Sequence, residues 1–349
     1  MKIKISKRDT IAPKNVPIIV AEISGNHNGN KTSFLKHIKT AAKNGANMIK
    51  IQTYEPHDIT LKNFNKKFIV NAGIWKNNSL WNLYKKAHTP FSWHADAFKL
   101  CKRLNITLFS SPFSKRAVDF LEKFNVPLYK IASFEITDYD LIDYVAQKRK
   151  PIILSTGMAS ILEIKLAIKI IKRYHNKIII LYCVSGYPTK EADSNLNNIK
   201  KFKEIFKGFN IGLSDHTDNI FTSLASTTFG VSLIEKHFII SKKMHSLDKK
   251  FSIDKDQLKL LSEGVKKTFW SLGDSKKKLN KIEKNNLKYR RSIFSIKDIE
   301  KNQKISRKNI GNFRPVIGLE SNNYFKILGL KAKKKIKKHT PIFIKDLKK

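Results

Sequence analysis

A chain of 349 residues with 41% hydrophobic content suffices for one large domain plus a small one, each with its own core. No apolar run approaches the ~20 residues that span a bilayer. Met1 to Lys14 is polar, and Cys101 and Cys183 sit in unrelated helix-like and strand-like runs, so the expectation is a reducing, cytoplasmic setting without membrane, disulfide or zinc. The formal charge of +41 is dominated by lysine and spread along the chain, with 21 Lys+Arg against 5 Asp+Glu in residues 281–349. Dedicated nucleic-acid binding is therefore the minority reading, and attraction of anionic substrates the simpler use of such a field.

From Pro17 to about Trp270 short apolar strands alternate with helical patterns. Strands are predicted at 18–24, 48–54, 107–113, 128–133, 152–156, 178–185, 211–217 and 233–240. Helical periodicity covers 31–43, 95–104, 116–124, 139–147, 161–174, 196–206, 221–229 and 256–270. Eight strands, each followed by a helix, argue for an α/β fold of the (β/α)₈ TIM-barrel type over residues 1–270. A doubly wound open sheet is the alternative, but no glycine fingerprint follows the first strand. Pro56 to Lys86, with Trp75, Trp81 and Tyr84, is an insertion placed at the barrel mouth. Residues 271–290 read as a Lys/Asn-rich linker and 291–349 as a small domain. The basic run Lys331 to Lys338 reads as a solvated edge.

Barrel enzymes draw their working groups from the C-terminal strand ends. Here those ends carry Glu22, then Lys50 with Gln52, Ser110-Ser111, Lys130 with Ser133, and Thr156. The last three ends carry Ser185 with Tyr187, then Ser214-Asp215-His216, and Glu235 with His237. Strand alternation puts Ser214 with His216, and Glu235 with His237, on one face, leaving Lys236 on the other. Two adjacent strands each ending in an inward His can hold one divalent metal. Either histidine alone reads more simply as a core residue; the nearby carboxylates Asp215 and Glu235 favour the metal. A buried lysine is costly unless it meets an anion. Lys50 and Lys130, with Ser111, Ser133 and Ser214, therefore read as a phosphate or carboxylate cradle. A Schiff-base lysine, or a salt bridge to Glu22 or Glu235, is the alternative for each.

These stretches resemble the sialic-acid synthase family over nearly the full length, in the style of its pseudaminate-forming branch. The resemblance rests on Ala21-Glu-Ile-Ser-Gly-Asn-His-Asn-Gly29, Tyr84 to His94, Phe109-Ser-Ser-Pro-Phe113 and Tyr129-Lys-Ile-Ala-Ser-Phe-Glu-Ile136. Gly212-Leu-Ser-Asp-His-Thr217 and Glu235-Lys-His-Phe238 are shared by the wider family, and Gly311 to Gly318 is similar to its C-terminal antifreeze-like (SAF) domain. The resemblance implies condensation of phosphoenolpyruvate with 2,4-diacetamido-2,4,6-trideoxy-L-altrose to a nine-carbon 2-keto acid and phosphate. An N-acetylneuraminate or legionaminate synthase is the alternative within the family. An inactive basic barrel that binds nucleic acid is the alternative outside it. The resemblance further implies His216 and His237 as ligands of Mn²⁺ or Mg²⁺ (Co²⁺ being compatible), with Glu22 as acid/base carboxylate. Lys50, Gln52, Ser111, Lys130, Ser133, Ser185, Tyr187, Ser214, Asp215 and Glu235 are then the substrate pocket. Arg314 is implied to reach a partner's sugar site in a domain-swapped homodimer. One departure is visible: the branch's Gly-Gly-Pro-Asp-type turn is replaced by Lys243-Met-His-Ser-Leu-Asp248, where only Asp248, Phe251 and Ser252 align.

Overall fold

The structure is a computed structural model that describes all residues 1–349. The chain divides into two units, Met1–Gly273 and Asp274–Lys349. The first holds eight parallel strands: β1 (Ile18–Glu22), β2 (Met48–Thr53), β3 (Thr107–Pro112), β4 (Tyr129–Ile131), β5 (Ile152–Ser155), β6 (Ile178–Cys183), β7 (Asn210–Asp215) and β8 (Leu233–His237). They close into a barrel in sequence order, with β8 hydrogen-bonded to β1. All eight strands end one to three residues before the sequence reading placed them, because the chain leaves the parallel ladder as it turns over the mouth. The helices fall close to expectation, from Lys31–Lys43 to Lys255–Leu272, and several start at side-chain caps such as Asn30, Ser114 and Asp254.

Strand alternation divides the barrel residues into two sets. Ile19, Ile49, Ile131 and Ile180 pack outward against the helices in the main core. Val20, Met48, Phe109, Ile153, Ile179 and Leu233 point inward as a second core. This inner core is completed by Ile3 and Ile11, from the antiparallel pair Ile3–Lys4 and Thr10–Ile11. The same inward face, followed toward the strand ends, turns polar: Met48 is succeeded by Lys50 and Gln52, and Leu233 by Glu235 and His237. Gly212 has no room for a side chain, since a Cβ there would lie 2.5 Å from the Leu181 side chain and 2.6 Å from the Leu233 carbonyl.

The second unit has its own core of Ile293, Ile299, Ile305, Ile310, Ile336 and Ile342. The stretch read as a linker contains a short helix, Lys281–Asn286, set by reciprocal Asn280–Glu283 capping. The strand Ser292–Ser295 pairs antiparallel with Ile310–Phe313. In the basic run, Ala332 and Ile336 are buried while Lys333, Lys334 and Lys335 are exposed, so its lysines do coat an edge.

Candidate active site

At the C-terminal end of the barrel lies a cavity of about 360 Å³. Its inner wall is built on an ion cluster. Lys50 Nζ on β2 lies 2.7 Å from Glu235 Oε1 on β8 and 2.8 Å from Glu22 Oε2 on β1. Lys130 Nζ on β4 lies 3.3 Å from the same Glu235 oxygen, and Ser214 donates to it at 3.2 Å. The salt bridges held open as alternatives for Lys50 are thus both formed. Burial pushes Lys50 down to about 7, helped by neighbouring Lys130 and opposed by Glu235. Burial alone would raise Glu235, but Lys130 and Lys50 together hold its carboxyl far below the usual range. Glu22 does not border the cavity; its other oxygen accepts the Ser24 amide at 2.8 Å. It acts on the site through Lys50.

Buried polar atoms in folded proteins are almost always paired. Here Ser155 Oγ, Glu235 Oε2 and His237 Nδ1 border the cavity without a hydrogen-bond partner, and the inward Ser111 hydroxyl on β3 lacks one as well. Unused capacity concentrated at one opening marks a place built for a polar ligand. Ser133 and Ser185 hydrogen-bond each other at 2.9 Å. Gly157 makes this approach feasible: its φ is +44°, and a Cβ would lie 2.4 Å from Ser185 Oγ and 2.5 Å from Ser133 Cβ.

His216 and His237 both border the cavity, with ring centroids 5.4 Å apart. His216 Nδ1 lies 2.8 Å from the Val184 carbonyl, a bond that requires its proton there and leaves Nε2 with the lone pair. Burial pushes His216 down to about 4, and burial reinforced by His216 holds His237 well below its ordinary value. Both rings are therefore neutral near pH 7, the form that ligates metal. Tyr187 packs on His216 at 4.3 Å and Phe251 on His237 at 4.7 Å, fixing both planes. No group of three or more His, Cys, Asp or Glu is arranged to hold a metal ion. The pair fits a divalent ion whose remaining positions are left for substrate and water.

The outer wall comes from the insertion. Val70 and Asn78 hydrogen-bond across a hairpin (2.9 Å) whose Trp75 indole donates to the Leu247 carbonyl at 3.2 Å. The loop after β8 closes despite lacking glycine and proline: Gly25 donates to Asp248 at 3.1 Å, and Asn26 to Ser252 at 2.8 Å. His245 is exposed on that loop.

Lys50, Gln52, Lys130, Ser133, Tyr187, Ser214, His216, Glu235 and His237 come together as read from the sequence. Asp215 does not. Its neighbours Ser214 and His216 face inward, so it faces the helices, where it pairs with Lys236 at 3.0 Å and accepts from Ser223 at 2.5 Å. Ser185 reaches the site only through Ser133. Arg314 is an exposed residue of the second unit, directly after the strand Ile310–Phe313. At the fifth strand end the inward residue is Ser155, while Thr156 donates to the Leu181 carbonyl. Sequence reading missed Ser155, Tyr54 and Glu135, and read Asp248 only as an aligned position of the loop after the last strand. Alternation from Ile153 points to Ser155. Alternation from Gln52 points equally to Tyr54, which directly follows β2. Glu135 lies in the short 3₁₀ helix Ser133–Glu135 and Asp248 on a turn, where period two does not apply. Burial pushes Glu135 up to about 7, against the pull of Lys130.

The mouth of the barrel thus brings two buried lysines together with two neutral histidines, an arrangement of the kind enzymes place at this end of a barrel. The model of the NeuB family matches residues 37–277, and that of the SAF domain residues 290–348. The pseudaminic acid synthase of Helicobacter pylori is 42% identical over 334 residues, covering 95% of this chain and 98% of that protein. The pseudaminic acid synthase of Campylobacter jejuni is 40% identical, covering 91% and 93%. The crystal structure of N-acetylneuraminic acid (sialic acid) synthetase from Leptospira borgpetersenii, in complex with citrate, superposes with a TM-score of 0.73 at 29% identity, covering 82% of this chain and 95% of that one. The chain belongs to the NeuB family and carries a SAF domain.

Proposed function

We propose that this protein condenses phosphoenolpyruvate with 2,4-diacetamido-2,4,6-trideoxy-L-altrose, as a pseudaminic acid synthase. The observation that carries this reading is the pairing of a two-lysine anion cradle with two neutral imidazoles at the mouth of one barrel. Lys50 and Lys130 receive the phosphate and carboxylate charges, taking over part of the field that Glu235 and Glu22 share. Ser155, Ser111 and Ser214 supply hydroxyls that orient the enol phosphate. C3 of the enol bonds to the sugar aldehyde carbon, water adds at C2, and the C2–O bond to phosphate breaks. Glu135, poised near 7, is suited to hold and release the proton exchanged on that path. His216 and His237 would hold a divalent metal, which supplies Lewis acidity toward a carbonyl when bound. Tyr187 and Phe251 exclude water around it. The SAF unit would bring Arg314 to a partner's site in a domain-swapped homodimer, which equilibrium sedimentation and mixed-variant complementation can test.

Phosphate release should be followed with phosphoenolpyruvate, Mn²⁺ and each of three sugars: the altrose derivative, N-acetylmannosamine and the legionaminate precursor. Release with the altrose derivative alone supports the reading; release only with another sugar moves the protein within its family.

A further inference from the structure

The cavity is chemically two-sided. Charged and hydroxyl groups enter from the strand ends, whereas the opposite wall is apolar: Ile59, Val70 and Leu83 from the insertion, with Phe113, Phe134 and Leu247 from neighbouring loops. Phe134 is 62% exposed, so this wall runs outward from the ion cluster toward the entrance. The phenols of Tyr54 and Tyr84 also border it, in edge-on contact at 5.9 Å, with Tyr54 against Phe113 at 5.1 Å. Neither hydroxyl makes a hydrogen bond within the protein. Burial holds both phenols protonated, so each can donate to an amide carbonyl.

Such a wall is poorly matched to an ordinary hexosamine, whose hydroxyls would lose water there without a partner. It suits a sugar with methyl groups and amides. We propose that this wall is the subsite for the methyl groups of the sugar, the deoxygenated terminus and the acetamido methyls, and that it sets the preference for a deoxy, N-acetylated substrate. This rests on the condensation proposed above and deepens it. Each methyl seated is worth about fourfold in binding. An apolar pocket rejects an added hydroxyl by at most about a hundredfold.

The test uses the full-length protein and two sugars of one stereochemistry, the 6-deoxy diacetamido sugar and its 6-hydroxy analogue. The wild type should prefer the deoxy sugar in kcat/KM by ten- to a hundredfold. Val70→Thr, nearly isosteric, and Leu247→Asn, whose backbone carbonyl still holds Trp75, should each reduce that preference several-fold with KM for phosphoenolpyruvate unchanged. Equal use of both sugars by the wild type, or an unaltered preference in both folded variants, overturns the subsite. Turnover of neither sugar alongside turnover of N-acetylmannosamine removes the underlying reading instead.

Discussion

Replacing Glu235 with Gln tests the ion cluster most sharply. The substitution keeps the shape but removes the anion that Lys50 meets at 2.7 Å and Lys130 at 3.3 Å. Breaking a buried pair costs about 3–5 kcal/mol, here because Lys130 is left without a carboxylate and Lys50 keeps only Glu22. Lys50 has an escape: its pKa of about 7 falls further once Glu235 is gone, so above pH 8 it is neutral in both proteins. The sign follows. Between pH 7 and the lower pKa of the variant, native wild type holds a proton that the native variant has shed, so the deficit grows as pH falls, by up to about 1.4 kcal/mol per unit. In thermal melts the variant should lose roughly 6–15 °C at pH 6 and clearly less at pH 8.5, taking about 2–3 °C per kcal/mol for a domain of this size. Added phosphoenolpyruvate should restore more of the loss at pH 6 than it adds to the wild type. A deficit that is absent, or larger at high pH, would refute the cluster as drawn.

The remaining expectations are simpler. KM for phosphoenolpyruvate should rise above pH 7 as Lys50 loses its proton, approaching tenfold per unit, and an initial-rate pH profile checks this; a flat profile to pH 9 counts against it. His27, His37 and His94 are each pushed down to about 4 chiefly by burial, so the unfolded chain binds protons between 6.5 and 4 that the native one refuses. Stability present above pH 6.5 is thus lost on the way to pH 4, by about 3 kcal/mol per histidine. Circular-dichroism melts should show unfolding at room temperature before pH 4 is reached. Truncating Ile11, fully buried beneath the barrel core, to Ala should cost about 2–5 kcal/mol in urea denaturation while leaving KM values alone.

Much of this was legible because period two is a strict rule. Once eight strands are placed, the inward set follows, and the run from Met48 to Lys50 and Gln52 marks where core gives way to site. The errors follow from the same rule applied loosely. Thr156 stands one residue past the inward Ser155, and Asp215, between two inward residues, has to face outward. The apolar half of the cavity was hidden for another reason. It depends on long-range closure such as Trp75 to Leu247, 172 residues apart, and loop closures leave no periodic trace. Glu135 sits at the end of a short 3₁₀ helix and Asp248 on a turn, where their burial, and so their raised carboxyls, cannot be read from spacing.

The most direct measurement is calorimetric titration of phosphoenolpyruvate into the metal-loaded protein at pH 7, alongside Lys50→Met and Lys130→Met. Saturable binding at one site per barrel, weakened at least tenfold in each folded variant, is the expected result. Undiminished binding in both variants would place the anion elsewhere and contradict the site.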